Sequence, residues 1–156
     1  MRKKSEPSLR ARALQHLARR EYSRTELRRK LLPHVQAGHD FEQAIAVDLD
    51  ALLDDLTSRG WLSDERAATQ LVHLKRSRFG TQRITHELRK KGIAEELIDA
   101  ALPALKESEM DAAREVLLKK FSSPPKDPKE KAKQMRFLQS RGFSMDAIFM
   151  LLRNGD

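Results

Sequence analysis

Residues 17–27 read LARREYSRTEL, and their reading decides the fold. Upstream, Leu9, Ala13, Leu14, Leu17 and Ala18 recur at helical spacing, and Glu21-Tyr22-Ser23 interrupts that stripe. Ser23 and Glu26 form a capping box: a hydroxyl at the N-cap and a carboxylate three residues on exchange hydrogen bonds with each other's backbone N–H. Leu27, Leu31 and Leu32 carry the next stripe, which stops before Pro33, because a proline disfavours helix in the residue preceding it. A loop from His34 to His39 contains Gly38. Asp40-Phe-Glu-Gln43 is a second cap signal, and Ile45, Leu49, Leu52, Leu53 and Leu56 mark a longer third helix ending before Gly60.

The same layout returns. A shift of 57 places Leu14 on Leu71, Leu17 on Leu74, Tyr22 on Phe79, Leu27 on Ile84 and Leu31 on Leu88. Ser63 caps the first helix of this second unit, Phe79-Gly80 interrupts, and Gly92 ends the second helix. Ile93, Leu97, Ile98 and Leu102 predict a short third helix with Pro103 near its end. A shift of 50 then places Leu88 on Leu138, Gly92 on Gly142, Ile93 on Phe143, Ile98 on Ile148 and Leu102 on Leu152. The chain is therefore expected to be all-α, with three tandem three-helix repeats over 1–60, 61–106 and 107–156. Each unit is too small to bury its own apolar face, so neighbours are expected to stack. Ser122 to Lys133 (SSPPKDPKEKAK) is expected to be an exposed loop inside the third unit, since three prolines remove backbone donors.

Composition agrees with helices. Charged residues make up 35% and aromatics 5% of 156 residues, enough for amphipathic stripes of Leu, Ile and Ala but poor material for a sheet sandwich. There is no cysteine, so disulfides, thiolate zinc sites and a cysteine nucleophile are excluded, which fits a reducing cytoplasm. No apolar run approaches membrane-spanning length, and the basic start Met1-Arg-Lys-Lys-Ser5 lacks the apolar segment of a secretory signal. The net charge of +8 is strongly patterned: residues 1–38 carry +8, 39–69 carry −6, 70–92 carry +6, 93–115 carry −5 and 116–156 carry +5. Alternation of this kind suits a partner that presents phosphate on one side and a patterned protein surface on the other.

Catalytic chemistry finds no support. His16, His34, His39, His73 and His86 show no metalloprotease spacing. His34 and His39 with Asp40 lack a fixed third ligand and read as solvated. Asp48, Asp50, Asp54 and Asp55 offer carboxylates for magnesium, but the apolar stripe between them puts them on the outer face of a helix. Capping accounts for Ser63 before Asp64-Glu65, and six scattered glycines make no phosphate loop. No enzyme activity, cofactor or metal is expected.

The cations are the stronger signal. Arg19, Arg20, Arg24, Arg28, Arg29 and Lys30 surround the first interruption; Lys75, Arg76, Arg78 and Arg83 surround the second, at equivalent places in the repeat. Arg24 and Arg28 lie one helical turn apart and project together. Such side chains suit phosphate contacts; the alternative is that they are only the polar faces of amphipathic helices. Arg89-Lys90-Lys91 reads as a helix C-terminus favoured by the macrodipole. Tyr22, Trp61, Phe79 and Phe143 sit beside turns, where they either stack on unpaired bases or pack into the junctions. Packing is the expected role for Trp61 and Phe143.

Four segments in order resemble one known family. Leu17 to Leu27, Gly60-Trp-Leu-Ser-Asp-Glu-Arg66, Arg78-Phe-Gly80 with Ile84 to Gly92, and Phe137-Leu-Gln-Ser-Arg-Gly-Phe-Ser144 with Ile148 are similar to the signatures of the RecX regulatory proteins. The resemblance implies a curved, elongated molecule that lies in the groove of a filament. It implies a cytoplasmic regulator that binds RecA protein and the RecA–single-stranded DNA filament. Such a regulator lowers RecA ATPase, recombinase and coprotease activity, in homologous recombination, DNA repair and the SOS response. The family has no agreed catalytic residues. Arg19, Arg20, Arg24, Arg28, Arg29, Lys75, Arg76, Arg78 and Arg83 are the candidate DNA- or filament-binding residues, on a chain expected to be a monomer with possible direct DNA binding. A stand-alone basic DNA-binding protein of helix-turn-helix type is the competing expectation.

Overall fold

A computed structural model describes residues 7–35 and 42–153, apart from the side chains of 42–47. His39, Asp40 and the side chain of Ile45 lie outside the described residues. The described elements are all helical: α1 (Leu9–Arg19), α2 (Arg24–Leu31), a 3-10 turn (Leu32–His34), α3 (Glu42–Ser58), α4 (Asp64–Lys75), α5 (Thr81–Lys90), α6 (Glu95–Lys120), α7 (Pro128–Ser140) and α8 (Met145–Arg153). The backbone divides into two compact units, Met1–Ala67 and Ala68–Asp156, with the boundary inside α4. No helix among the described residues is long and apolar enough to cross a membrane.

In the first unit α2 packs against both α1 and α3. Ala13, Tyr22, Leu27, Leu31, Leu49, Leu53, Leu56 and Leu62 form its core. The capping box is present in full: the Glu26 N–H donates to Ser23 Oγ at 3.1 Å, and the Ser23 N–H to Glu26 Oε1 at 3.1 Å. In α4, Ser63 Oγ accepts from the Arg66 N–H at 3.1 Å. Pro33 does not end regular structure; it sits inside the 3-10 turn.

The second unit holds two clusters. One joins α4, α5 and the N-terminal half of α6 through Ala68, Leu71, Ile84, Leu88, Ile93, Ile98 and Leu105. The other joins the C-terminal half of α6 to α7 and α8 through Ala112, Ala113, Leu138, Phe143, Ile148 and Leu151. A single helix serves both, so the short third helix expected to end near Pro103 is corrected to a 26-residue α6. Pro103 removes one backbone donor, at a cost of about 3 kcal/mol inside a helix. It is exposed, so the orphaned Asp99 carbonyl is open to water, and burial of Leu105, Ala112 and Ala113 beyond it offsets the loss.

Three further expectations change. The loop placed at 122–133 ends at Asp127. Asp127 caps α7 by accepting from the Glu130 N–H at 2.7 Å, and Pro128 occupies the first helical position, where its missing N–H is not needed. Trp61 does not pack into a junction: it is 45% exposed beneath Arg59, and Leu62 takes the buried place. Leu74, expected on the buried stripe of α4, is 58% exposed, because that stripe runs through Ala67, Ala68 and Leu71 and leaves Leu74 at its edge. Phe143 is buried.

Glu109 is the residue the sequence did not single out. It lies on α6 and is only 7% exposed. Its Oε1 accepts from the Thr81 N–H at 3.3 Å and the Ser144 N–H at 2.9 Å, and its Oε2 from the Ser144 hydroxyl at 3.2 Å. One carboxylate thus satisfies donors at the N-termini of α5 and α8, where the helix dipoles favour negative charge. Beside it the Gly80 N–H donates to the Arg141 carbonyl at 2.9 Å, and the Gln82 N–H to the Gly142 carbonyl at 3.1 Å. Gly142 has φ +84°, and a Cβ there would overlap Arg83. Replacing Glu109 by Ala strands these donors, each worth about 1.5–3 kcal/mol when the acceptor is charged. We expect Glu109→Ala to lower unfolding free energy by about 3 kcal/mol in urea, followed by far-UV dichroism. Glu109→Gln, which keeps an acceptor, is expected to lose less; equal losses would contradict the capping role.

Candidate functional site

The two interruptions place their cations in different electrostatic settings. At the first, the Arg20 guanidinium carbon lies 3.6 Å from the Tyr22 ring centroid while Nη2 meets Glu26 Oε2 at 3.0 Å. The His16 ring lies 5.5 Å from that of Tyr22, tilted by 59°. Arg24 Nη1 reaches Asp54 Oδ1 at 2.7 Å, Arg24 Nη2 stands 3.9 Å from Asp50 Oδ1, and Arg28 Nε meets the same oxygen at 3.4 Å. The Arg24 N–H, the first of α2, donates to Asp64 Oδ1 at 2.7 Å. Asp50 and Asp54 thus lie on the outer face, as the apolar stripe requires, but that face is opposed to the basic face of α2. Pairs this exposed contribute roughly 0–1 kcal/mol each, yet they neutralise local potential. Arg19 and Arg29 are exposed.

Asp55 pairs with both Arg10 and Arg59; donors from both guanidinium groups hold its carboxyl below the usual range. At the end of α5, Arg89 donates to Glu95 at 2.7 Å, so its part is an ion pair across the turn.

At the second interruption Phe79 is half-buried and surrounded by cations. Arg83 lies 4.1 Å, Lys75 5.3 Å, Arg141 5.4 Å and Arg78 5.7 Å from its ring centroid. Glu87 takes Lys75 at 3.5 Å and Arg83 at 3.8 Å. Among the described residues, no carboxylate lies within 4 Å of the side chains of Arg76, Arg78 or Arg141. Arg141 stands equally near Phe137, at 5.4 Å, and Lys120 is 5.9 Å from the same ring. Phe137 meets Phe121 edge-on, 5.6 Å between centroids. A cleft of about 270 Å³ opens here, lined by Ser77, Arg78, Val116, Lys119, Lys120, Phe137 and Arg141.

The sequence reading brought Arg78 to this place but missed Lys119, Lys120 and Arg141. They lie about 40 to 60 residues further on, and their only signal was the +5 excess of residues 116–156. The Glu109 junction and the Gly80–Gly142 approach bring them together.

Fold and site define a helical-repeat protein whose helix junctions gather arginine and lysine around aromatic rings. Residues 63–102 match the second three-helix domain of RecX, and residues 107–152 match its third three-helix domain. A regulatory protein RecX from Leptothrix cholodnii is 46% identical over 149 residues, covering 96% of this chain and 90% of that protein. One from Herbaspirillum seropedicae is 47% identical over 141 residues, covering 90% of this chain and 86% of that protein. A crystal structure of a regulatory protein RecX superposes with a TM-score of 0.73, at 22% identity, over 94% of this chain and 71% of that one. The chain belongs to the RecX family of regulatory proteins.

The His16 imidazole is held below its ordinary 6.5, first by burial and then by Lys30, Arg19, His34 and Arg20. A lowered folded value means the fold favours the neutral ring. The corresponding stability is present above pH 6.5 and is lost as pH falls through the folded value. At neutral pH His16 therefore adds no charge to the first junction. We expect its NMR titration midpoint below 6.5, rising when Arg19 and Lys30 are both replaced by Gln; a midpoint at or above 6.5 would contradict the burial argument.

Proposed function

We propose that this chain binds RecA and its filament on single-stranded DNA and inhibits RecA ATPase, recombinase and coprotease activity. The carrying observation is kinship along 96% of the chain with a protein named regulatory protein RecX. The charge pattern supports the reading. Acidic α3 is matched to basic α2 within one unit, so the first junction presents mixed charge, whereas at the second Glu87 takes Lys75 and Arg83 and leaves Arg78 and Arg141 unmatched beside Phe79. A partner with both phosphate and patterned protein surface suits the two together. Arg19, Arg20, Arg24, Arg28, Arg29, Lys75, Arg76, Arg78 and Arg83 form the proposed contact set. Arg76 and Arg78 have the larger share, since Arg20, Arg24, Arg28, Lys75 and Arg83 must exchange existing partners. The proposal includes three three-helix repeats over 1–60, 61–106 and 107–156, a monomer, and a cytoplasmic role in recombinational repair and the SOS response.

The cations at the second junction also favour a second reading, a basic protein that binds DNA without RecA, consistent with a pI near 10.0. Titrating the chain into RecA hydrolysing ATP on single-stranded DNA separates them. The first reading expects the rate to fall to a small fraction of its starting value at saturation. No change in rate, together with tight DNA binding that depends on base sequence, favours the second.

A further inference from the structure

We infer that the cleft between the α4–α5 turn, α6 and α7 binds a single nucleic-acid strand, its phosphodiester backbone held by Arg78, Lys119, Lys120 and Arg141. The inference deepens the proposed function, on which it rests for the nature of the partner, and locates a strand-binding site that joins Arg78 of the contact set to three residues outside it, Lys119, Lys120 and Arg141. Four positive side chains line one small opening, and among the described residues no carboxylate comes within 4 Å of them. Like charges gathered this way repel, and the fold holds them together through backbone contacts unrelated to charge: Gly80 to Arg141 and Gln82 to Gly142. Several cations elsewhere are matched internally, Arg24 with Asp54, Arg28 with Asp50 and Arg89 with Glu95, whereas these four converge on one opening.

The aromatic rings decide the kind of anion. Phe137 lines the cleft, Phe79 adjoins it, and Arg141 stands 5.4 Å from both ring centroids. The acidic side chains of a peptide would use the cations but carry no aromatic face to set against the rings, whereas every nucleotide joins an anion to one. A nucleotide uses both, with phosphate on the guanidinium and ammonium groups and a base against phenylalanine, a contact worth about 1–3 kcal/mol per base. The opening, about 270 Å³, has the scale of one nucleotide. Bases of a duplex are stacked and paired and cannot turn into it, so the strand is single. Arg78 and Arg141 can grip a phosphate bidentately, while Lys119 and Lys120, at the end of α6, act as point charges.

The test uses the full chain without RecA and reads the anisotropy of a labelled oligo-dT of about a dozen nucleotides. Arg78, Lys119 and Lys120 are exposed, so the triple variant R78Q/K119Q/K120Q removes cleft charge without touching the core. K106Q/K129Q/K131Q removes equal charge from exposed positions outside the cleft. The cleft variant is expected to bind at least tenfold more weakly, with the slope of log K against log salt reduced by about 2, since each single-strand contact contributes about 0.7. The matched variant is expected to stay within threefold of the parent. Equal losses in both variants, or no loss in the cleft variant, overturn the inference. So does displacement of the strand by poly-glutamate as readily as by unlabelled oligo-dT, which would assign the cleft to an acidic protein. A measurement on the unaltered protein stands beside these: bound oligo-dT is expected to shield Lys119 and Lys120, but not Lys106, from acetylation, and equal modification overturns the inference. A chain that binds the strand here yet leaves RecA hydrolysis unchanged would contradict the proposed function and leave the cleft standing; the reverse result would do the opposite.

Discussion

The carboxylate of Glu109 accepts from the first N–H of α5 and from the N–H and hydroxyl of Ser144 before α8. A buried charge is costly unless its hydrogen-bond sites are filled, and here three donors fill them. Two of these are backbone groups at helix N-termini, which otherwise have no intrahelical partner. This point ties the starts of α5 and α8 to α6, which the apolar clusters hold on either side of it. With the two N-termini fixed on one carboxylate, Gly80 and Gly142 approach closely enough that neither tolerates a Cβ. The carbonyls of Arg141 and Gly142 then take donors from the start of α5. A turn near residue 79 and a turn near residue 142 become neighbours.

That neighbourhood creates the site. Arg78 comes from one turn and Arg141 from the other, while Lys119 and Lys120 come from the last turn of the helix that carries Glu109. No local segment holds all four, so no local reading assembles them. The first unit solves a related problem differently. Its Asp64 also accepts from the first N–H of a repeat's second helix, Arg24, but Asp50 and Asp54 then sit across from the arginines. Two junctions equivalent in sequence thus differ in their electrostatics.

Much of the fold was legible in the sequence because it rests on local chemistry. The Ser23–Glu26 box, the Ser63 cap and the stripes through Leu27 and Leu31 or Ile84 and Leu88 depend on spacing alone. What escaped was non-local. Pro103 reads as a terminator, but the buried residues after it carry the helix through. Pro128 reads as loop, yet after Asp127 it is a helix start. Trp61 reads as junction packing from its place beside a turn, whereas Leu62 takes the buried place. Of the nine candidate cations, Arg78 lines the unneutralised cleft, and spacing along the chain says nothing of which acids the others meet.

The charge alternation gains a physical meaning from this contrast. The +6 block meets the −5 block at the Arg89–Glu95 pair, but the −5 block is too small to cancel the +6 and +5 blocks together, so a positive excess remains for particular surfaces to carry. The carboxylate of the −5 block with the most contacts, Glu109, instead turns inward to the helix N-termini and is unavailable to surface cations. The −5 block therefore contributes a structural anion at the centre of the unit, while Lys119, Lys120 and Arg141 keep their charge at the surface. Burial of one acid thus both organises the fold and leaves the cleft positive. The cationic site and the stability of the second unit share a cause, so substitutions at Glu109 act on both together.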